Sequence, residues 1–172
     1  MNREEILLKS IWVMGKINLY SEFFQQEVRI DLFTSDKSLR HTNQIISDKL
    51  VQTVNDFLAL EVSEKELMGN LLYKHCLDCC EQISYGIEIQ EGETETQANL
   101  RAFGVAEEKD AFEKAQIHHV VIEEDPLRKN RFIRLIFYPE WESEHGCELI
   151  LKNGKLLDFT GEGQTYLAAF DD

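Results

Sequence analysis

The sequence lacks the motifs that mark the common enzyme classes. It contains no Gly-x-x-x-x-Gly-Lys-Ser/Thr phosphate loop, no Gly-x-Gly-x-x-Gly turn, no Gly-x-Ser-x-Gly elbow and no His-Glu-x-x-His helix. Its nine glycines are scattered along the 172 residues. These absences argue against nucleotide-dependent enzymes and the common hydrolases. We therefore expect no catalytic residue, no cofactor and no resident metal.

Prolines and long apolar runs are also scarce. With two prolines there is no Pro/Gly-rich linker, and the length suits one domain over residues 1–172. No apolar run approaches the roughly 20 residues that span a bilayer. The start, Met1 to Glu5, lacks the basic region and apolar run of a secretory signal. We expect a cytoplasmic protein with no membrane partner.

Basic residues are in the minority, 18 against 32 acidic residues, which gives a net charge of −14. Residues 1–85 hold 13 acidic and 9 basic residues, a balance of −4, and residues 86–172 hold 19 and 9, a balance of −10. Such a field repels phosphate backbones, which disfavours direct nucleic-acid binding, and it attracts basic proteins. The simpler alternative is that the acidic surface only keeps the chain in solution.

Hydrophobic periodicity predicts strands first, then helices, then strands again. The first strands cover 10–20 and 27–33, joined as a hairpin by residues 21–26. The predicted helices cover 46–58, the segment from a Ser63–Glu66 capping box to Gly86, and 107–115; residues 91–96 resemble an exposed loop. The stripe of the second helix is Leu67, Leu71, Leu72, Cys76, Cys79 and Ile83.

The C-terminal region returns to strands, predicted over 117–123, 131–138, 147–152 and 155–159. Asn153-Gly154 is a strong hairpin signal, because both turn positions favour positive φ. Since strands and helices are segregated, the fold class is α+β. We predict an antiparallel sheet, made of an N-terminal hairpin and a C-terminal four-strand meander, packed against two or three helices.

Cysteines and adjacent histidines are the first candidate ligands. Cys76, Cys79 and Cys80 crowd one helix, where a buried thiol behaves as a small apolar side chain; a second ligand pair for zinc is missing, so we favour packing over metal or redox chemistry. We expect these thiols and Cys147 to be free. His118 and His119 are adjacent on a strand, so they should face opposite sides and should not ligate one ion together.

The segment from Pro139 to Cys147, Pro-Glu-Trp-Glu-Ser-Glu-His-Gly-Cys, is the most unusual part of the chain. On extended backbone Glu140, Glu142 and Glu144 would share one face, as an acidic ridge for a partner or a cation. The alternative is a turn in which Gly146 supplies a permissive φ, His145 bonds locally and Trp141 anchors the bend to the core. Glu144-His145 also has the residue types of acid/base or metal chemistry, without a nucleophile.

Glu123, Glu124 and Asp125, before the Pro126 turn, form another acidic patch. This patch and the Glu140–Glu144 segment lie at opposite ends of the strand that connects them. We therefore treat the two patches as separate.

Residues 141–156, Trp-Glu-Ser-Glu-His-Gly-Cys-Glu-Leu-Ile-Leu-Lys-Asn-Gly-Lys-Leu, carry a resemblance that covers about 131–163. They resemble the C-terminal signature of uncharacterised bacterial domains similar to immunity proteins of polymorphic or contact-dependent toxin systems. The resemblance implies that the chain binds and neutralises a basic toxin, such as a nuclease. The expected partner-binding residues are Glu123, Glu124, Asp125, Tyr138, Glu140, Trp141, Glu142 and Glu144, with Tyr138 and Trp141 as anchors only if exposed.

Two other functions remain open. The chain could be a small metal-dependent enzyme that uses Glu144 and His145, with His118 or His119. It could also be an adaptor that has no toxin partner.

Overall fold

The computed structural model describes residues 1–11, 15–34, 46–124 and 128–160. These begin with a short helix and three strands: α1 Arg3–Lys9, β1 Ser10–Ile11, β2 Lys16–Ser21 and β3 Gln26–Thr34. The predicted N-terminal hairpin is confirmed, because β2 and β3 pair antiparallel around a turn at residues 22–25. The predicted single strand over 10–20 is wrong, since β1 and β2 are separate strands that pair antiparallel with each other. Phe23 is an unusual residue for a turn, but its ring is buried in the core.

Four helices follow: α2 Asp48–Leu58, α3 Glu64–Gln82, α4 Glu95–Phe103 and α5 Glu108–Lys114. The sequence-based prediction contains α2, α3 and α5 but not α4. The sequence signal for α4 is a capping box at its N-terminus. The side chains of Thr94 and Gln97 each accept a hydrogen bond from the backbone N–H of the other residue. Ala98 and Asn99 are the residues of α4 that are buried, so the helix carries little apolar periodicity.

The predicted start of α3 is confirmed, with Ser63 at the N-cap, but its predicted capping box and its predicted end near Gly86 are wrong. Ser63 has helical backbone angles, φ −58° and ψ −27°, and its side chain makes no capping hydrogen bond, so the expected capping box does not form. The helix ends at Gln82 because Ile83 is extended.

The buried stripe of α3 is displaced from the predicted one. Leu67 and Ile83 are 45% and 40% exposed. Met68 and His75 are buried instead, beside Leu72 and the cysteines. The helix is therefore rotated by part of a turn, which brings a histidine into the core.

Four further strands follow: β4 Ile117–Glu124, β5 Phe132–Phe137, β6 Cys147–Lys152 and β7 Lys155–Thr160. The seven strands of the described residues form one sheet in sequence order. The α+β class and the four-strand meander are confirmed. Asn153 and Gly154 have φ of 51° and 79°, as the hairpin signal predicts. The expected all-antiparallel sheet is corrected at one junction: β3 and β4 pair in parallel, because the four helices form a crossover between them.

The helices pack against one face of this sheet. Alternate strand residues point to that face, among them Leu135 and Phe137 of β5, and they join Phe57 of α2 and Leu72 of α3 in one core. The second face carries an ion pair between Arg134 of β5 and Glu148 of β6, 3.3 Å apart. Its apolar neighbours on that face are buried, namely Phe132, Ile136 and Ile150.

Gly69 lies where α3 approaches the start of α5 closely. A Cβ atom there would lie 2.7 Å from the Glu108 carbonyl oxygen, which is backbone and cannot rotate away. We expect Gly69→Ala to destabilise the fold by about 1–3 kcal/mol, because overpacking outweighs the ~1 kcal/mol that alanine gains in helix propensity. Urea unfolding measures the loss. The matched control, Asn70→Ala at the exposed neighbour, should be neutral or stabilising; equal effects would contradict the close-approach argument.

Candidate functional site

The segment between β5 and β6 is a turn with a single turn of 3-10 helix, Glu140–Glu142. We call residues 140–145 the acidic turn. The chain reverses because Gly146 has φ of +70° and its N–H donates to the Glu142 carbonyl at 3.1 Å. The interpretation of this segment as a turn is confirmed.

Trp141 anchors the acidic turn. Its side chain is 1% exposed, and its indole Nε1–H donates to Nδ1 of His75 on α3 at 3.1 Å. Its carbonyl oxygen accepts from the Tyr85 hydroxyl at 2.6 Å. Trp141 is therefore a core residue, and the condition under which it was expected to contact a partner is not met.

The hydrogen bond from Trp141 fixes the protonation of His75. Indole is only a donor, so Nδ1 of His75 is the acceptor and the proton of the neutral ring lies on Nε2. That Nε2 is 3.9 Å from the Cys79 Sγ, and the thiol in turn donates to Glu142 Oε2 at 3.9 Å. A continuous polar chain thus connects the core of α3 with the acidic turn.

Glu142 is the last residue of this polar chain, and it also stabilises the turn. Its Oε1 accepts from the backbone N–H of His145 at 3.2 Å and lies 3.2 Å from that residue's Nδ1. The Glu142 side chain is 17% exposed, whereas that of His145 is 71% exposed. The Glu142 side chain therefore points toward the protein interior and stabilises the turn from that side.

The thiols of Cys79 and Cys147 are unsuited to nucleophilic chemistry. Burial, followed by the nearby Glu142 carboxylate, raises the pKa of Cys79 to about 12. Burial also raises the pKa of Cys147 well above its usual value. Both thiols are protonated at neutral pH, and the reactive species is the thiolate. The lone pair of His75 is already occupied by Trp141, so His75 cannot take a thiol proton.

The structure redistributes the predicted acidic ridge. Glu140, Glu142 and Glu144 do not line one face, because the backbone is helical rather than extended at 140–142. Glu140 and Glu144 are exposed and flank the inward-facing Glu142. Tyr138, at the entry to the turn, is 38% exposed and remains available as a surface aromatic.

The patch at Glu123 lies elsewhere. Glu123 and Glu124 are the last residues of β4, and Asp125 lies outside the described residues. The register pairs Phe137, next to the acidic turn, with Ile117 at the opposite end of β4. Glu123 and Glu124 are therefore separated from the acidic turn, as expected.

The expectation that the side chains of His118 and His119 face opposite sides of the strand is wrong. A bulge in β4 places both imidazoles together, with 2.8 Å between their Nδ1 atoms. His118 is exposed and His119 is buried. They lie at the end of β4 that pairs with Phe137, and the acidic turn begins three residues after Phe137.

The four cysteines are free and buried, as expected. Within the described ranges no group of three or more His, Cys, Asp and Glu side chains is arranged to hold a metal ion. The metal-enzyme alternative based on Glu144 and His145 therefore lacks a ligand set of that size in this part of the chain.

A family model described as a domain of unknown function, DUF6985, matches residues 4–165. The chain belongs to the DUF6985 family. The match includes α3, the acidic turn and the seven described strands, so the site is part of the DUF6985 domain. No curated protein and no solved structure matches the chain. Along the residues that the structure describes, no helix has the length and apolar character needed to cross a membrane.

Sequence reasoning missed two residues of this site, His75 and Tyr85. The signal for His75 was its spacing from Leu72 and Cys79, which places a polar ring on the apolar stripe and requires a donor. For Tyr85 we find no sequence signal, because its hydroxyl contacts a backbone carbonyl 56 residues away.

The neutral His75 predicts a pH dependence of stability. Burial lowers the pKa of His75, against smaller opposing effects of Glu142 and Asp78. Because the pKa is lower in the folded state, the unfolded chain takes up the proton at a higher pH than the folded chain does. The stability from this residue is therefore complete above the unfolded pKa of about 6.5 and is lost as the pH falls toward the folded value.

Chemical denaturation between neutral pH and pH of about 5 tests this, with His75→Asn as the comparison. The Asn oxygen can accept from Trp141 but does not titrate in this range. We expect the wild type to lose stability relative to His75→Asn at up to about 1.4 kcal/mol per pH unit. Parallel pH profiles for the two proteins would contradict a neutral His75.

Proposed function

We propose that this DUF6985 chain is an acidic, cytoplasmic protein-binding module, namely an immunity protein that binds and neutralises a basic toxin such as a nuclease. The observation that carries the proposal is the rigid support of the acidic turn. Glu140 and Glu144 are exposed, while Trp141 and Glu142 between them are held by α3. The site thus presents two exposed carboxylates on a supported turn.

The rigid support matters because binding costs free energy when flexible groups become ordered. The Trp141 ring, the Tyr85 hydrogen bond and the Glu142–His145 contacts fix the backbone of the turn before any partner arrives. The exposed carboxylates are then already in place. Tyr138 beside them supplies an aromatic surface of the type that contributes most to interface affinity.

The charge of the whole chain favours the same kind of partner. A net charge of −14 attracts a basic protein over long range and raises the association rate, while like-charged partners are rejected. In the proposed mechanism the carboxylates occupy the cationic groove in which the toxin binds its substrate. The resemblance of residues 131–163 to toxin-system immunity domains supports this choice of partner.

The test uses the toxin encoded beside the gene. We expect the chain to bind it and abolish its activity at equimolar ratio. The double variant Glu140→Gln/Glu144→Gln should reduce the association rate by about tenfold at low salt, because electrostatic steering accounts for rates of that order. Glu142 is left unchanged since it supports the turn.

The matched control removes the same charge elsewhere. Glu4→Gln/Glu91→Gln changes two exposed carboxylates outside the turn. This variant should keep an association rate close to that of the wild type. Equal rates for the wild type and the turn variant would remove the acidic turn from the interface, and failure to bind any neighbouring toxin would overturn the immunity function.

A further inference from the structure

The bulge in β4 has a specific consequence for two side chains. Ile117 pairs with Phe137 and His119 pairs with Ile136, so two residue steps on β4 match one step on β5. His118 is the extra residue. Bulges of this kind re-aim side chains and are enriched next to functional sites.

The core identifies the face to which these side chains turn. Ile117 and Val120 both belong to the core under the helices. On a regular strand residues 117 and 120 would lie on opposite faces. Because the bulge absorbs one residue, His118 and His119 both lie on the second face, between two inward-pointing neighbours.

The resulting geometry brings two nitrogen ligands together. The Nδ1 atoms are 2.8 Å apart, and the ring planes are at 83°. We propose that His118 and His119, called here the histidine pair, chelate a divalent transition metal through their Nδ1 atoms. Without metal, the same distance holds a hydrogen bond in which one Nδ1–H donates to the other ring.

The distance favours one coordination geometry. Imidazole nitrogen lies about 2.0 Å from such metals, so two ligands at a right angle are separated by about 2.8 Å and two at the tetrahedral angle by about 3.3 Å. The observed 2.8 Å therefore fits adjacent corners of a square-planar or tetragonal site. That geometry is typical of Cu(II) and Ni(II), and Cu(II) binds most strongly in the divalent series.

The surroundings allow a metal to enter. His118 is exposed, and its ring meets the Tyr138 ring edge-on, with 5.1 Å between their centroids. This contact fixes the orientation of the His118 ring. The two histidines supply two coordination positions, and water completes the shell. The inference is independent of toxin binding, since it uses neither Glu140 nor Glu144.

The experiment titrates the full chain, purified without a tag, with copper sulfate in a non-coordinating buffer. We expect one equivalent of Cu(II) to bind, with nitrogen coupling from two imidazoles in the electron paramagnetic resonance spectrum. His118→Ala should weaken binding by at least about tenfold, because even the loss of an outer-shell partner costs about 10–100-fold.

His145→Ala is the matched control, since it removes another exposed imidazole outside the pair. It should bind Cu(II) as the wild type does, and circular dichroism should show that both His145→Ala and His118→Ala remain folded. His119→Gln provides a second ligand deletion. A wild type without stoichiometric Cu(II), a His118→Ala variant with full affinity, or sulfur charge-transfer bands in place of nitrogen coupling would overturn the proposal.

Discussion

Replacing Trp141 with alanine is expected to destabilise the fold by about 3–5 kcal/mol. The indole ring is 1% exposed and is among the largest fully buried side chains. Its removal leaves a cavity between the acidic turn and α3 and deprives Nδ1 of His75 of its donor. Against a typical total stability of about 5–15 kcal/mol, this is a large fraction.

Trp141→Phe separates packing from hydrogen bonding. Phenylalanine keeps most of the buried apolar area but donates no hydrogen bond, so the buried Nδ1 of His75 loses its partner at a cost of about 1–3 kcal/mol. Thermal unfolding should show a decrease of about 2–4 °C for each kcal/mol in a chain of this size. Tyr138→Ala, at a partly exposed neighbour, is the control and should cost much less. A loss below about 1 kcal/mol for Trp141→Ala would contradict the anchor.

Trp141 also connects the stability of the fold with the proposed function. The Trp141→Ala variant should bind a partner more weakly even where it remains folded, because Glu140 and Glu144 would no longer be held in place. Binding to the neighbouring toxin, measured under conditions where the variant is folded, distinguishes this effect from simple loss of folded protein.

The parts of the fold that depend on local chemistry could be read from the sequence. Asn153-Gly154 predicts its hairpin because the residues themselves favour positive φ, and the predicted 147–152 agrees with β6 at both ends. The period of two likewise identifies β3 and β4. In each case the signal lies within a few adjacent residues.

Features that depend on distant contacts could not be predicted. The parallel pairing of β3 with β4 joins residues about 90 positions apart, and no periodicity specifies it. The extra residue in β4 leaves no local mark, since His118-His119 reads equally well as a regular strand. The role of His75 follows from an indole 66 residues away. The turn was therefore one of the alternatives that the sequence offered, and its anchorage to α3 was not predicted.

The second large effect concerns the ion pair on the other face of the sheet. We expect Arg134→Met to cost about 3–5 kcal/mol, because removing one partner of a buried ion pair weakens the compensation of the charge that stays buried. The Glu148 side chain is 0% exposed, and that of Arg134 is 19% exposed. Without the guanidinium, the carboxylate stays among the buried Phe132, Ile136 and Ile150 side chains. Urea unfolding measures the loss.

Burial rather than distance determines this cost, and the chain offers a matched control. Arg3 and Asp48 are closer, at 2.7 Å, but their side chains are 50% and 88% exposed. Arg3→Met should therefore cost at most about 1 kcal/mol. The double variant Arg134→Met/Glu148→Leu should recover much of the stability lost in Arg134→Met, because apolar replacement of both partners removes the buried charge. A double variant less stable than Arg134→Met would show that Glu148 stabilises the sheet through contacts other than this pair.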